Sequence, residues 1–535
     1  MIRFKHLKID KTLSFLIVTG LLLSSISPAT VSGDVSKDFV NTVYCSPEGT
    51  AEGTGEKDNP IDLRTAISKA VPGTEICLLN GTYTFDSQIT IPEEVSGTSD
   101  KFIGLLAETP GQVTLDFSAE SYEGTNDNDR GIQLDADYWY LYGLKIYKAA
   151  DNGLYVTGSN NTVDYCVFEA NRDSGLQISR KGSTTPKSAW PANNLILNCT
   201  SYNNMDITGE NADGFAAKLT CGEGNIFDGC IAYCNVDDGW DLYTKSATGA
   251  IGSVTLINCI AFRNGQTTDG KFTAEADGNG FKLGGEAISV NHTVVNCIAF
   301  ENKNHGFTDN SNPGTIAVIN CTSFNNSLEN GEKANFDFAR QLTSDNYLAS
   351  LISFSTNSIS KDKYRGTCEN SLFYTPDGYL EVNEKVCVDT KTPSDKVYTG
   401  DISDISLNAD DFEIITAPDN SADFHSLWRN ADGSVNTQGF LKLKADSKAS
   451  VYGGSSLPDG VSVKSADITF TTDDLLKFPE KETTTRGKLN IIADEEPKNS
   501  FSVWYVIIPV FAVIIIDSVV CIILIRKNSK EKSGQ

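Results

Sequence analysis

The segment CNVDDGWDLYTK, residues 234 to 245, holds three aspartates within five positions: Asp237, Asp238 and Asp241. Carboxylates this close repel one another, so a fold that keeps them ionised needs a neighbouring cation. A hard divalent ion with several oxygen ligands meets that need, and calcium is such an ion. The alternative is a solvated acidic turn, because acidic turns are common in a chain whose net charge is −26.

A repeat indicates which elements position these acids. A glycine followed by a large apolar residue recurs at positions 131, 153, 175, 214, 239, 280 and 306. Cysteines interleave with these glycines at positions 166, 199, 230, 259, 297 and 321. The short apolar runs between them, bounded by Asn and Gly, are typical of β-strands. Such a repeat predicts an all-β fold, a right-handed parallel β-helix, with loops of six and twelve residues inserted at one corner.

The repeat also predicts structural roles for residues that take no part in any reaction. The recurring cysteines should pack inward as small apolar groups, which leaves Cys368 with Cys387, and Cys45 with Cys77, as candidate disulfides. One corner carries asparagines that can hydrogen-bond along the stack, at positions 198, 258, 296 and 320. Residues 59–73 have apolar residues at helical spacing and predict a short helix that caps the open N-terminal end.

Stacking sets which residues become neighbours, because equivalent positions of successive coils lie about 4.8 Å apart. Asp213 and Asp238 both precede a repeat glycine, so we expect them side by side. Lys282 occupies the position equivalent to Asp241 in the next coil. This lysine is either a salt-bridge partner of the acids or a base whose ammonium form is disfavoured by an adjacent divalent ion. The pattern alone leaves both interpretations open.

The motifs ADGFAAK, NVDDGWDLYTK and DGNGFKLGG resemble polysaccharide lyase family 9, which consists of pectate lyases with a right-handed parallel β-helix. The resemblance extends from about residue 40 to residue 475. It implies that Lys282 is the catalytic base. It also implies a calcium site formed by four aspartates: Asp213, Asp237, Asp238 and Asp241.

The implied reaction is β-elimination in polygalacturonate, in which calcium neutralises the galacturonate carboxylate and Lys282 removes the C5 proton. A free lysine has a pKa of about 10.4, so an alkaline optimum is expected. A rhamnogalacturonan lyase of the same family is one alternative. A hydrolase with two or three catalytic aspartates would leave Lys282 without a role. A non-catalytic surface adhesin stabilised by calcium is a third alternative.

Further basic residues are close enough in sequence to line substrate subsites: Lys218, Lys245, Arg263 and Lys271. Three histidines, His292, His305 and His425, follow the N-terminal segment, so a serine triad is disfavoured. Of these, His305 stands beside a repeat glycine and is expected to be a stacked surface residue.

The two ends of the chain predict export and anchoring. Residues 1–33 have the basic, apolar and small-residue order of a signal peptide, and 34–475 form the lyase domain with its C-terminal tail. Residues 476–500 read as a charged linker, 501–526 as a transmembrane helix and 527–535 as a cytoplasmic tail. We expect an extracellular, membrane-anchored monomer that binds an acidic plant cell-wall polysaccharide. The net charge of −26 argues against nucleic acid.

Overall fold

The computed structural model describes residues 39–455 apart from 122–128, 329–331, 342–344, 357–359, 383–385 and 388–403, together with 457, 462–463 and 491–492. The chain passes through three long sheets in turn, and nearly every strand pairs in parallel with the equivalent strand of the next coil. The all-β parallel β-helix predicted from the repeat is therefore confirmed.

Each coil contributes one strand to each sheet over most of the stack. Sheet 1 has 13 strands: Asn41–Cys45, Thr74–Leu78, Ile103–Ala107, Trp139–Tyr142, Thr162–Asp164, Leu195–Leu197, Asn225–Asp228, Val254–Ile257, Thr293–Val295, Ala317–Ile319, Asn346–Ala349, Gly366–Glu369 and Val386–Cys387. Sheet 2 has 10 strands: Ile89–Ile91, Ile132–Leu134, Leu154–Val156, Leu176–Ile178, Phe215–Ala217, Trp240–Asp241, Phe281–Lys282, Phe307–Thr308, Phe336–Phe338 and Lys363–Tyr364. Sheet 3 has 12 strands: Gly81–Thr84, Val113–Asp116, Leu144–Tyr147, Val167–Glu169, Thr200–Tyr202, Ile231–Tyr233, Ile260–Phe262, Ile298–Phe300, Thr322–Phe324, Ile352–Phe354, Ser371–Thr375 and Gly378–Val382. A separate antiparallel pair joins Ser462–Val463 to Ile491–Ile492.

The helices are short. Helix α1, Leu63–Lys69, lies within the predicted range 59–73, and its N-cap Asp62 accepts a hydrogen bond from the Thr65 amide at 2.9 Å. Its Leu63 and Ile67 side chains are buried, so the predicted cap is confirmed. Among the described residues, the other helical segments are Phe424–Leu427 and the 3-10 turns Glu93–Val95, Lys187–Ala189, Ala409–Asp411 and Lys448–Tyr452.

The large residue after each repeat glycine opens a strand of sheet 2 and points into the stack. The aromatic rings at this position stack coil upon coil, in the order Phe215, Trp240, Phe281 and Phe307, and Phe336, which follows Asn335, continues the row. The centroid separations are 5.0, 4.9, 4.6 and 5.1 Å. A Cβ at Gly239 would lie 2.6 Å from the carbonyl oxygen of Gly280, so a side chain there would clash with the next coil. Close approach of the backbones explains the repeating glycine.

The recurring cysteines are buried free thiols at the corner between sheets 1 and 3, as predicted. Their thiol groups lie along the stack, and the Cys259 amide donates to the Cys297 sulfur at 3.4 Å. Cys45, Cys77 and Cys368 are also free, so neither of the candidate disulfides is formed.

Two rows of asparagine run along the stack. In the predicted row, Asn296 donates to Asn258 at 2.7 Å and Asn320 donates to Asn296 at 3.0 Å, while Asn198 shares their left-handed backbone. A second row, which the sequence did not reveal, lies where sheet 3 leads into sheet 2. Its buried side-chain amides bond in sequence at 2.8, 3.1, 2.9 and 2.8 Å: Asn204, Asn235, Asn264, Asn302 and Asn326.

The predicted insertions occupy this same corner. They are residues 203–213 and 263–279, each between a strand of sheet 3 and the next strand of sheet 2. The two loops contact each other, since the Thr273 hydroxyl donates to the Gly209 carbonyl at 2.6 Å. The corner that precedes sheet 2 therefore carries both predicted insertions.

The C-terminal tail, residues 404–455 with 457, packs on the outer face of sheet 3. The Phe424 ring lies 4.7 Å from the Phe262 ring, and the Phe440 ring lies 4.8 Å from the Phe300 ring. The Arg429 guanidinium donates to the carbonyls of Cys199, at 3.1 Å, and Gly229. The tail is thus part of the same packed body as the coils.

Across the described part of the chain, no helix is long and apolar enough to cross a membrane. The predicted signal peptide 1–33, the predicted transmembrane helix 501–526 and the tail 527–535 lie outside the described residues, as does most of the linker 476–500.

The docked tail is expected to make stability depend on pH through His425. This imidazole is buried, with Nδ1 2.9 Å from the Thr200 hydroxyl, and burial together with Arg429 lowers its pKa to about 3. As the pH falls, the unfolded chain, with an imidazole pKa of about 6.5, therefore binds a proton before the folded chain does. The free energy of unfolding should therefore fall as the pH drops below about 6.5, by up to about 1.4 kcal/mol per pH unit.

Urea denaturation at pH 7 and at pH 5 checks this expectation. The difference in unfolding free energy between the two pH values should be smaller in His425→Gln than in the wild type. The same pH dependence in both proteins would exclude His425 as its source.

Candidate active site

The predicted carboxylates meet where sheet 3 leads into sheet 2. Asp213, Asp237 and Asp238 place carboxylate oxygens within 4.8 Å of one another, and all three residues are buried. The pairing of Phe215 with Trp240 aligns the two coils, so Asp213 lies beside Asp238 as the repeat predicted. We call these three aspartates the acid cluster.

Asp241 lies at the edge of the acid cluster and faces two lysines. Its carboxylate oxygens lie 3.3 Å from Lys218 Nζ and 4.0 Å from Lys282 Nζ. Asp241 pairs in register with Lys282 in the next coil, as predicted.

Lys282 directs its ammonium group into the acid cluster. Its Nζ lies 3.0 Å from Asp238 Oδ2 and 2.9 Å from Asp277 Oδ2, and the residue is 8% exposed. Burial alone would lower the pKa of Lys282, but the carboxylates of Asp238 and Asp241 outweigh burial and hold that pKa well above its ordinary range. Lys282 therefore forms salt bridges with Asp238 and Asp277.

The acid cluster is electrostatically strained. Burial raises the pKa of Asp213 to about 8 and that of Asp238 to about 6, and neighbouring carboxylates add to both effects. Burial and the charges of Asp238 and Asp213 likewise raise the pKa of Asp237 well above its usual range. A positive charge among these groups would remove the repulsion.

The donor atoms of the site fit a calcium ion. Two buried oxygens, Asp238 Oδ2 and Asp241 Oδ1, accept no hydrogen bond within the described residues, and the Lys282 ammonium lies 3.0 Å from the first and 4.0 Å from the second. Calcium is bound by several carboxylate, carbonyl and water oxygens at about 2.3–2.6 Å. Converging carboxylate oxygens that accept no hydrogen bond are therefore the kind of ligand that this ion requires.

The acid cluster borders an open cleft of about 780 Å³, the catalytic cleft. Basic side chains line this cleft from several coils: Arg172, Lys218, Lys245, Lys282, Lys333 and Arg340. Eight acidic side chains line the same cleft, so its six basic residues provide separate points of contact for a polyanion rather than a net positive surface.

Three residues of the site were not assigned to it from the sequence. Lys218, expected only as a possible subsite residue, bonds to Asp213 Oδ2 at 2.6 Å. The Asp277 amide donates to Asp237 at 2.7 Å, and Asn279 donates to Asp238 through its amide at 2.7 Å and Nδ2 at 2.8 Å. Asn279 precedes a repeat glycine as Asp238 does, so the repeat could have revealed it.

The other three predicted subsite residues lie in different parts of the structure. Lys245 lines the catalytic cleft, and Lys271 lines a neighbouring cleft. Arg263 lies instead on the outer face of sheet 3, where it pairs with Glu301 at 2.7 Å and donates to the Pro418 carbonyl of the tail. Arg263 is therefore a structural residue.

The prediction that His305 is a surface residue is wrong. The residue is 3% exposed and its Nδ1 accepts a hydrogen bond from the Ala334 amide at 3.1 Å. Burial lowers its pKa to about 4, so the imidazole is neutral near pH 7. A hydrogen bond from the Ala334 backbone of the next coil holds this side chain, which the repeat alone placed at the surface.

Fold and site together define a polysaccharide lyase built on a parallel β-helix. The family model described as "Pel9A-like, right handed beta helix region" matches residues 43–347. The chain is 42% identical over 419 residues to pectate lyase L of Paenibacillus polymyxa (strain SC2), which covers 78% of this chain and 84% of that protein. The chain therefore belongs to the family 9 pectate lyases, the family indicated by its sequence motifs.

Solved structures agree with this membership. The crystal structure of pectate lyase Pel9A superposes with a TM-score of 0.57 at 28% identity, covering 76% of this chain and 90% of that chain. A structure of rhamnogalacturonan lyase gives a TM-score of 0.58 at 21% identity, covering 77% and 99% respectively. At that identity, the second likeness reflects the shared fold alone.

Proposed function

We propose that the protein is a calcium-dependent pectate lyase that cleaves polygalacturonate by β-elimination, with Lys282 as the base. The observation that carries this proposal is the position of Lys282 Nζ, 3.0 Å from Asp238, in a cleft lined by six basic side chains. The identity of 42% to a protein named pectate lyase L supports the same substrate.

Calcium would be held by Asp213, Asp237 and Asp238, with Asp241 as the fourth carboxylate at the open side. When bound, calcium supplies the positive charge that neutralises the uronate carboxylate and acidifies the C5 hydrogen α to it. Lys282 then faces carboxylates whose charge is balanced, so its neutral form becomes accessible.

Lys282 removes the C5 proton, and the electron pair of the C5–H bond forms the C4–C5 double bond. The C4–O bond breaks, and the glycosidic oxygen leaves with its electron pair. Asp277, 2.9 Å from Lys282 Nζ, is placed to stabilise the ammonium that results. Cleft residues such as Lys245 and Arg172 can hold the carboxylates of neighbouring sugar residues.

Ultraviolet absorbance of the unsaturated product tests this proposal directly. Polygalacturonate should give rising absorbance that stops on addition of a chelator and returns with excess calcium. Absorbance with rhamnogalacturonan alone would identify the other lyase specificity. Saturated ends without calcium would indicate a hydrolase, and no cleavage of any pectic polymer would favour the adhesin.

The proposal extends to the ends of the chain, for which the sequence pattern is the support. A signal peptide over 1–33 would export the catalytic domain 34–475, and the linker 476–500 would connect it to a transmembrane helix over 501–526. With 527–535 in the cytoplasm, the enzyme would act outside the cell as an anchored monomer. Protease treatment of intact cells should then release the activity into the medium.

A further inference from the structure

A second cleft, of about 570 Å³, adjoins the catalytic cleft. Ala150 and Arg172 line both clefts, so the two are continuous. The second cleft follows the corner between sheets 3 and 2 over four successive coils, from Glu120 through Ala150 and Arg172 to Met205. At about 4.8 Å per coil it extends roughly 14 Å along the stack, away from Lys282. We call it the corner cleft.

The far wall of the corner cleft is the longer insertion, residues 263–279. This loop begins two coils beyond Asn203 but folds back towards the N-terminal end. The Thr268 amide donates to Asn203 Oδ1 at 2.8 Å, and residues 267–269 and 271 line the cleft. The loop that forms this wall therefore also carries Asp277, beside Lys282, at its other end.

The charge of the corner cleft is positive. Its basic lining consists of Lys148, Arg172 and Lys271, and Lys271 is paired with Asp269 at 2.8 Å. Among the described residues, Lys148 has no ion-pair partner and lies 4.9 Å from the Tyr147 ring. An anionic ligand would supply the missing counter-charge.

Glu120 lies in the wall of the corner cleft with an unsatisfied oxygen. The residue is 7% exposed, and its Oε2 accepts a hydrogen bond from the Ala150 amide at 2.8 Å. Its Oε1 is buried and has no hydrogen-bond partner within the described residues. Burial raises the pKa of Glu120 to about 8, so near pH 7 it is mostly protonated and does not cancel the positive charge. Buried polar atoms are normally paired, so this one points to a missing partner.

We propose that the corner cleft binds further uronate residues of the polysaccharide chain that the catalytic cleft holds. The proposal rests on the proposed function. Lys148 and Lys271 would hold uronate carboxylates, and Glu120 would hydrogen-bond a sugar hydroxyl. The continuity of the two clefts through Arg172 provides the path for one chain to occupy both.

Binding of short and long oligomers tests this proposal. Titration calorimetry with trigalacturonate and hexagalacturonate would use the Lys282→Ala protein in calcium, so that neither oligomer is cleaved. Adding Lys148→Met and Lys271→Met should weaken hexamer binding at least tenfold and trimer binding less than twofold. Both lysines are exposed, and thermal denaturation would check that the variant is folded.

A matched control removes two charges elsewhere. Lys69→Met and Lys101→Met change exposed lysines outside both clefts and should leave the affinity for either oligomer unchanged. Equal weakening of trimer and hexamer, unchanged hexamer affinity, or no binding of either oligomer to the parent protein would overturn the proposal. Failure of the proposed function appears separately, as a wild type that forms no unsaturated product.

Discussion

Lys282→Ala is expected to lower kcat on polygalacturonate by about 10³-fold, because general-base removal of the C5 proton is lost. The measurement is the initial rate of ultraviolet absorbance at saturating calcium. Lys282 also balances the charges of Asp238 and Asp277, so the thermal midpoint of the variant should be recorded in the same calcium buffer.

Two controls separate catalysis from a structural role of Lys282. Lys245→Ala removes a cleft lysine that forms no ion pair within the described residues, so KM should change more than kcat. Small primary amines should restore part of the activity of Lys282→Ala, more effectively as their basicity increases. A folded Lys282→Ala protein within tenfold of wild-type kcat would contradict the assignment of the base.

Asp238→Asn is expected to weaken calcium binding on the order of 100-fold, since it removes one unit of ligand charge. The substitution keeps the shape of the side chain, and its Oδ1 can still accept from Asn279. Calorimetric titration of the protein with calcium gives the affinity without reference to activity. Calcium should also raise the thermal midpoint of the wild type, because its binding relieves the repulsion within the acid cluster.

Asp277→Asn is the matched control for this experiment. Asp277 also pairs with Lys282, at 2.9 Å, but does not belong to the acid cluster. Its substitution should weaken calcium binding by much less than that of Asp238. Equal effects of both substitutions would mean that the cluster does not hold the ion, and wild-type activity in chelator would mean that catalysis does not need it.

The repeat made most of the fold predictable. A parallel β-helix stacks equivalent positions, so the spacing of Gly214, Gly239 and Gly280 also sets the register of the strands that follow them. The same register places Asp213 beside Asp238 and Lys282 beside Asp241. The relative positions of Asp213, Asp238, Asp241 and Lys282 could therefore be predicted from the glycine spacing.

What lies outside the repeat could not be predicted in this way. The insertion that carries Asp277 takes its shape from contacts with distant residues such as Asn203, and no periodicity encodes those contacts. The ion pair of Lys218 depends on side-chain direction at the end of a strand. His305 is buried against the next coil, where the Ala334 amide donates to its Nδ1, and the repeat does not encode that contact.

The docked tail determines how the molecule would respond to pulling. The tail packs against several coils at once through Phe424, Trp428 and Phe440, which together form a clamp on sheet 3. The Ser455 amide also donates to the Thr322 hydroxyl at 2.8 Å. Force applied at the C-terminal end would reach this clamp before it reached the coils of the acid cluster. These aromatic contacts between the tail and sheet 3 would have to separate before the coils unwind. An enzyme tethered by its C-terminal end would therefore keep the geometry of its site under a pulling force.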